Sequence, residues 1–307
     1  MESRNLAIGI VLSLQGALGI VGNFYLLFHY ILLYYNEGTL KTVDLILTHV
    51  FTANSLNIFS KGMLQITRAF EWNQFFSDIG CKLILYILRL GTSMSTNTTC
   101  LMSVFQAITI SPWNSCWKDH IVKIQRLMGF FISLCWVLHM MMNMMFPMYP
   151  SIRRKTKNIT QKRNVELCSS FTGNDNIVES LYIAFWVFPE VLLSVVLVIS
   201  SSSMIFILYG HKKRVHHIHS CHAPPRNSPE SRATQNILAL VCTFLTFYTL
   251  SSILQGCIAF SHDPSWWLVN ITAIISMCFP SFGPFIMSHD VTISRLCSSW
   301  MRNIKLL

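Results

Sequence analysis

The chain has 307 residues, of which 52% are hydrophobic and only 12% charged, with a mean hydropathy of +0.47. Soluble domains carry about a quarter charged residues, so this composition excludes an ordinary water-soluble globule and points to the bilayer. The formal net charge of +10 is assigned to segments that flank a membrane, and no nucleic-acid partner is expected.

Apolar stretches long enough to cross a hydrocarbon core, about 20 residues each, fall at roughly 6–33, 43–66, 79–107, 126–147, 179–209, 233–260 and 266–287. The predicted fold is an all-α membrane protein, a seven-transmembrane helix bundle that forms one domain over residues 1–307. The first stretch follows only MESRN, is far longer than a signal-peptide apolar core, and has no small-residue cleavage pattern after it. It reads as an uncleaved first helix.

Seven spans put the two ends on opposite sides, and loop charges set the orientation. With the N-terminus outside, the inner segments hold Lys41, Lys118, Lys123, Arg126, Lys212, Lys213, Arg214, Arg226, Arg232, Arg295, Arg302 and Lys305. Most of the outer basic residues sit in the loop between spans four and five, at Arg153, Arg154, Lys155, Lys157, Lys162 and Arg163. Two features place that loop outside. Asn158-Ile159-Thr160 is a glycosylation acceptor, and Cys168 can pair with Cys81, at the start of span three, in an oxidising compartment. Asn97-Thr98-Thr99 and Asn270-Ile271-Thr272 match the acceptor pattern but fall in or against spans, and read as chance. The remaining cysteines lie in apolar helix or on the reducing side and read as small packing residues.

Ionisable and polar residues within spans carry the functional information, because a charge at bilayer depth must face the bundle interior and find a partner. Arg89 is eight residues beyond Cys81, about 12 Å into the membrane. Glu190 is eleven residues beyond Glu179, about 16 Å in from the same side. The two can form an ion pair that locks spans three and five, or can line a ligand cavity together, and neither reading excludes the other. Span three also carries Thr92, Ser93, Ser95, Thr96, Asn97, Thr98 and Thr99. It is therefore expected to be the central, most enclosed helix, its oxygens bonding across to neighbours. Lys61 and Gln65, near the outer end of span two, can snorkel, and Lys61 is a further pocket candidate. Trp266 and Trp267 open span seven as an aromatic belt.

Catalytic and cofactor signatures are missing: the sequence has no HExxH, GxSxG, GxxxxGK[ST] or CxxC. No enzyme activity and no cofactor are expected. The inner loop HKKRVHHIHSCH is rich in possible metal ligands, but its spacing matches no closed zinc pattern. It reads as a basic collar beside anionic lipid, and no metal is assigned. The basic inner residues serve either as a partner surface or as membrane anchors, two roles that need the same charges.

Several segments resemble the vomeronasal type-1 receptors, a family of pheromone-sensing G-protein-coupled receptors. They are GCKLILYILRLG at Gly80–Gly91, TTCLMSVFQAITISP at Thr98–Pro112, HKKRVHHIH at His211–His219, SPESRATQ at Ser228–Gln235, FYTLSSI at Phe247–Ile253, and WWLVNITA and CFPSFGPF in span seven. The resemblance runs from Gly22-Asn23 to Ser288-His289-Asp290. It implies a small pheromone-like ligand in the outer half of the bundle, near Lys61, Arg89, Thr92, Ser93 and Glu190. It also implies coupling to an inhibitory-class heterotrimeric G protein, at the plasma membrane of chemosensory neurons. The contact surface for that protein would include Gln106, Lys118, Lys123, Lys212, Lys213 and Arg214. Phe105-Gln106-Ala107 stands about where rhodopsin-like receptors carry an acidic-Arg-Tyr triplet, and span seven has Pro280 and Pro284 in place of Asn-Pro-x-x-Tyr. Where the family commonly has RVGRG this chain has Arg89-Leu90-Gly91-Thr92-Ser93, and its Lys61-Gly62-Met63-Leu64-Gln65 lacks the proline of KGIPQ. Altered ligand preference is expected. The alternative of a small-solute transporter needs more intramembrane acids than these spans supply.

Overall fold

The computed structural model describes residues 2–38, 40–69, 78–110, 114–144, 188–189, 191–207, 209–210, 229–261 and 265–304. Seven helices run through them: α1 Glu2–Glu37, α2 Thr42–Ala69, α3 Asp78–Ile110, α4 Asn114–Asn143, α5 Val191–Ile207, α6 Pro229–Phe260 and α7 Trp266–Ile304. No strand occurs among the described residues. Each expected span has its helix. The helices overrun the spans where charged residues flank the apolar run, since hydropathy marks only the part in hydrocarbon. The basic segment from Lys118 to Arg126 is thus part of α4, and α7 continues past residue 287 to Ile304.

Four helices contain a stretch long and apolar enough to cross a membrane: Ala7–Asn36, Lys123–Asn143, Ile237–Ile258 and Trp266–Met287. Helices α2 and α3 are also long enough, at 28 and 33 residues, but they are more polar. Their polar groups point inward: Asn54, Asn57 and Ser60 of α2, and Ser93, Ser95, Thr96, Thr98, Thr99 and Ser103 of α3, are all buried. A helix wrapped by protein does not need an apolar surface on every side.

All seven helices contribute to one core, which includes Leu26, Phe51, Met102, Ile132, Leu197, Leu240 and Phe279. Helix α3 touches α2, α4 and α6 and reaches α5 through the Ser103 and Ser200 hydroxyls, 2.7 Å apart. The expected central position is shared with α2, which contacts α1, α3, α4 and α7. A Cβ on Gly91 would lie 2.8 Å from the backbone nitrogen of Asn57 and 3.1 Å from the carbonyl oxygen of Ala53. Only glycine permits α2 and α3 to come this close.

The polarity of α3 serves two purposes. Thr92, Thr96, Thr98 and Thr99 donate to carbonyls four residues earlier in their own helix, which satisfies the hydroxyl without reaching a neighbour. Ser95 Oγ donates to Asn54 Oδ1 of α2 at 2.7 Å, and Asn97 Nδ2 lies 3.2 Å from His139 Nε2 of α4. Bonding across helices is therefore confined to Ser95, Asn97 and Ser103 among these groups. Trp136 Nε1 donates to His49 Nδ1 at 3.2 Å and ties α4 to α2.

Candidate functional site

The end of the bundle nearest the α2–α3 and α6–α7 connections holds a cavity of about 90 Å³, several times the 10–15 Å³ or so that one ordered water needs. Four helices line it, each with residues at helical spacing. Asn57 and Lys61 come from α2, one turn apart, and Arg89, Thr92, Ser95 and Thr96 from α3. Phe244, Phe247, Tyr248, Ser251, Ser252 and Gln255 form a continuous stripe along α6, and Ile275, Ser276, Phe279 and Pro280 complete the wall from α7.

The deep end of the cavity is aromatic. Phe244 stacks on Tyr248 with centroids 5.3 Å apart, and Phe279 meets Phe244 edge-on at 4.7 Å, both favourable ring geometries. The rest is polar. Lys61 Nζ donates to the Ser276 carbonyl at 3.0 Å, and Gln255 Nε2 donates to Ser251 Oγ at 3.0 Å. The lining carries two cationic side chains and no carboxylate among the described residues. Such a chamber can hold a compact molecule with an apolar body and hydrogen-bond acceptors.

Of the residues singled out in the sequence, Lys61, Arg89 and Thr92 meet in this cavity. Arg89 is half-buried and engages a neighbour within the protein. Ser93 is buried but lies outside the lining. Gln106 is only 6% exposed, so a partner protein does not reach it in this arrangement. Lys123 is exposed at the start of the apolar part of α4, and Lys118 lies on the same helix. Glu190, Asn158, Cys168, Lys212, Lys213 and Arg214 fall outside the described residues. Cys81, in the first turn of α3, is disulfide-bonded, and the expected pairing with Cys168 involves one of those residues.

Sequence reasoning missed the α6 and α7 walls. The signal was present in α6, where Tyr248, Ser251, Ser252 and Gln255 recur at helical spacing in an otherwise apolar helix.

The chain matches the family model described as the vomeronasal organ pheromone receptor family over residues 6–299. Among curated proteins, vomeronasal type-1 receptor 4 of Pongo pygmaeus is 44% identical over 98% of this chain and 100% of its own length. The Homo sapiens protein of the same name is 42% identical over the same shares. Vomeronasal type-1 receptor 2 of Homo sapiens is 42% identical over 92% of this chain and 72% of its own length. With a family model spanning nearly every residue and two relatives above 40% identity that are covered over their full length, this chain belongs to the vomeronasal type-1 receptor family.

Proposed function

We propose that this chain is a chemosensory receptor that detects a small pheromone-like molecule in the cavity between α2, α3, α6 and α7, and that it activates an inhibitory-class heterotrimeric G protein. The observation that carries the reading is the cavity itself, in which Lys61, Arg89, Thr92 and the Ser251–Gln255 stripe face an aromatic floor. The family description and the names of the relatives support a receptor over a transporter.

In this reading the N-terminus is outside, so the cavity opens in the outer half of the bilayer. The loop with Asn158 and Cys168 then lies in the glycosylating, oxidising space, and Glu190 is the anion that either pairs with Arg89 to lock spans three and five or joins it as a ligand residue. The G protein meets the opposite end, with Lys118, Lys123, Lys212, Lys213 and Arg214 as its contact charges. Burial of Gln106 means that contact there requires a second arrangement of the helices, which the ligand must favour by binding it more tightly. The site of action is the plasma membrane of chemosensory neurons.

The test is an intracellular calcium or cyclic-nucleotide response in cells expressing the chain, challenged with fractionated urine and volatile mixtures, with and without pertussis toxin. A response that the toxin blocks, and that Ser252→Phe abolishes at unchanged surface level, is expected. A response unaffected by Ser252→Phe moves the ligand elsewhere. A response that persists in toxin removes the inhibitory-class assignment.

A further inference from the structure

Helix α7 carries two prolines within its length, Pro280 and Pro284. A proline has no amide hydrogen, so the carbonyl four residues earlier in the helix loses its partner. At bilayer depth such a carbonyl must be satisfied by something else. The carbonyls concerned are those of Ser276 and Pro280.

Each of the two receives a donor from a different helix. Lys61 Nζ of α2 donates to Ser276 O at 3.0 Å, and Asn23 Nδ2 of α1 donates to Pro280 O at 2.9 Å. The donors fall on the two positions that proline chemistry leaves open. A third side chain, Gln15, also reaches the α7 backbone, at Ile274 O, but Cys278, four residues on, retains its amide, so that bond is supplementary.

The two caps differ in what else they touch. Asn23 is fully buried and lies outside the cavity lining. Lys61 lines the cavity beside Arg89 and Thr92, and an ammonium has three hydrogens to give. Lys61 is thus shared between the cavity and the carbonyl of α7 that Pro280 leaves without an amide.

We propose that Lys61 is a positioning residue that couples occupancy of the cavity to the hydrogen-bond gap that Pro280 leaves in α7. It holds the Ser276 carbonyl that Pro280 leaves without an amide. A ligand acceptor group entering the cavity, an anionic or carbonyl oxygen, draws the ammonium away and frees α7 to adopt its other arrangement. The coupling rests on the ligand reading given above, whereas the capping stands without any ligand.

The experiment uses the full chain without ligand and compares Lys61→Met, Lys61→Arg, Pro280→Ala and the Lys61→Met/Pro280→Ala double variant. Pro280→Ala returns an amide hydrogen to residue 280, so the Ser276 carbonyl no longer needs Lys61. Lys61→Met alone is expected to lower the thermal midpoint in detergent by about 3–6 °C, and Lys61→Arg, which still donates, to restore most of it. In the Pro280→Ala background the same Lys61→Met change is expected to cost about 1 °C or less. An equal loss in both backgrounds overturns the proposal, because Lys61 would then serve something other than the proline-freed carbonyl. If Lys61→Met does not reach the surface, recovery of surface protein in the double variant supports the capping and failure to recover overturns it. Basal signal per surface receptor is expected to rise at least twofold in Lys61→Met, and an unchanged or lower signal overturns the coupling. A wild-type chain silent to every ligand fraction counts against the ligand reading, and the thermal comparison then decides the capping by itself.

Discussion

Helices α3 and α4 are neighbours in sequence, nearly equal in length at 33 and 30 residues, and packed against each other, yet they live in different solvents. The middle of α3 is almost wholly buried, from Leu90 and Met94 through Thr99 to Met102 and Ser103. Only 11% of the apolar stretch of α4 is buried, and Phe130, Leu134, Val137, Leu138 and Met141 lie exposed along it. In a water-soluble protein the more apolar helix would be the inner one. Here the order is reversed, because the surrounding lipid is as apolar as leucine and only the protein interior offers partners to oxygen and nitrogen. Buried oxygens and nitrogens therefore mark α3 as an inner helix, packed among the apolar core residues, and a largely apolar exposed face marks α4 as an outer one.

The strongest way to break that contrast is to enlarge a residue at the α2–α3 contact. Gly91→Leu adds a side chain whose first carbon already meets backbone atoms of Asn57 and Ala53 at 2.8 and 3.1 Å, and backbone has no rotamer by which to escape. The helices must part, at a cost of about 3 kcal/mol or more. Surface labelling should show almost no Gly91→Leu protein at the cell surface. Normal surface levels would mean that α2 and α3 are not in this close contact.

The reverse test places a charge on the lipid face. Leu134 is 41% exposed near the middle of the apolar stretch of α4, where a lysine costs about 2.5–3.5 kcal/mol to insert. Leu134→Lys should reduce the fraction of chains with α4 integrated, as read by protease protection, while Leu134→Ala should leave it near wild type. Equal integration of all three would place this face against protein or water instead of lipid.

A smaller effect is expected from the hydrogen bonds that polarity serves inside. Ser95→Ala removes the 2.7 Å bond to Asn54 Oδ1 and should cost about 1 kcal/mol, in the range of interhelical bonds measured in membranes. Combined with Asn54→Ala it should be less than additive. Thr99→Ala, whose hydroxyl bonds only to the Ser95 carbonyl of its own helix, should cost less than Ser95→Ala. Equal losses would erase the distinction between bonds across helices and bonds within one.

The same contrast explains which parts of the molecule could be read from sequence. Apolar length gave the seven helices and their order, because a helix must span the hydrocarbon whatever its neighbours are. The row from Arg89 to Thr99 gave away the inner helix, since nothing but burial tolerates it. The sequence could not separate Ser95, which bonds to α2, from Thr98, which bonds back to Met94, because both choices satisfy a hydroxyl equally well. Ser93 was grouped with Thr92, yet one residue is a turn of about 100° on a helix, enough to take Ser93 out of the cavity lining. Phe244 and Phe279 are far apart in the sequence, and only the fold of α6 against α7 brings their rings together. Lys61 was legible as a cation near a pocket, but its partner is a backbone carbonyl, which leaves no mark in a sequence except the proline four residues later.

The last and smallest prediction repeats one substitution in both environments. Alanine at Gly129 of α4 adds a methyl group whose nearest neighbour is Leu45 Cδ2, a flexible side chain at an ordinary 3.8 Å. Nothing must move, and the helix loses a residue that favours the unfolded backbone, a gain of up to about 1 kcal/mol that the loss of close packing does not offset. Gly129→Ala should therefore leave the thermal midpoint unchanged or slightly raised, while Gly91→Ala, one methyl against the backbone of α2, should lower it. Both variants have the same volume change, the same propensity change and a position within a helix, so the difference between their midpoints isolates the neighbour: backbone of α2 at one site, a flexible side chain of α2 at the other. If the two midpoints moved together, the closeness of α2 and α3 would not be what Gly91 is for, and the contrast between the enclosed α3 and the outer α4 would lose its tightest contact.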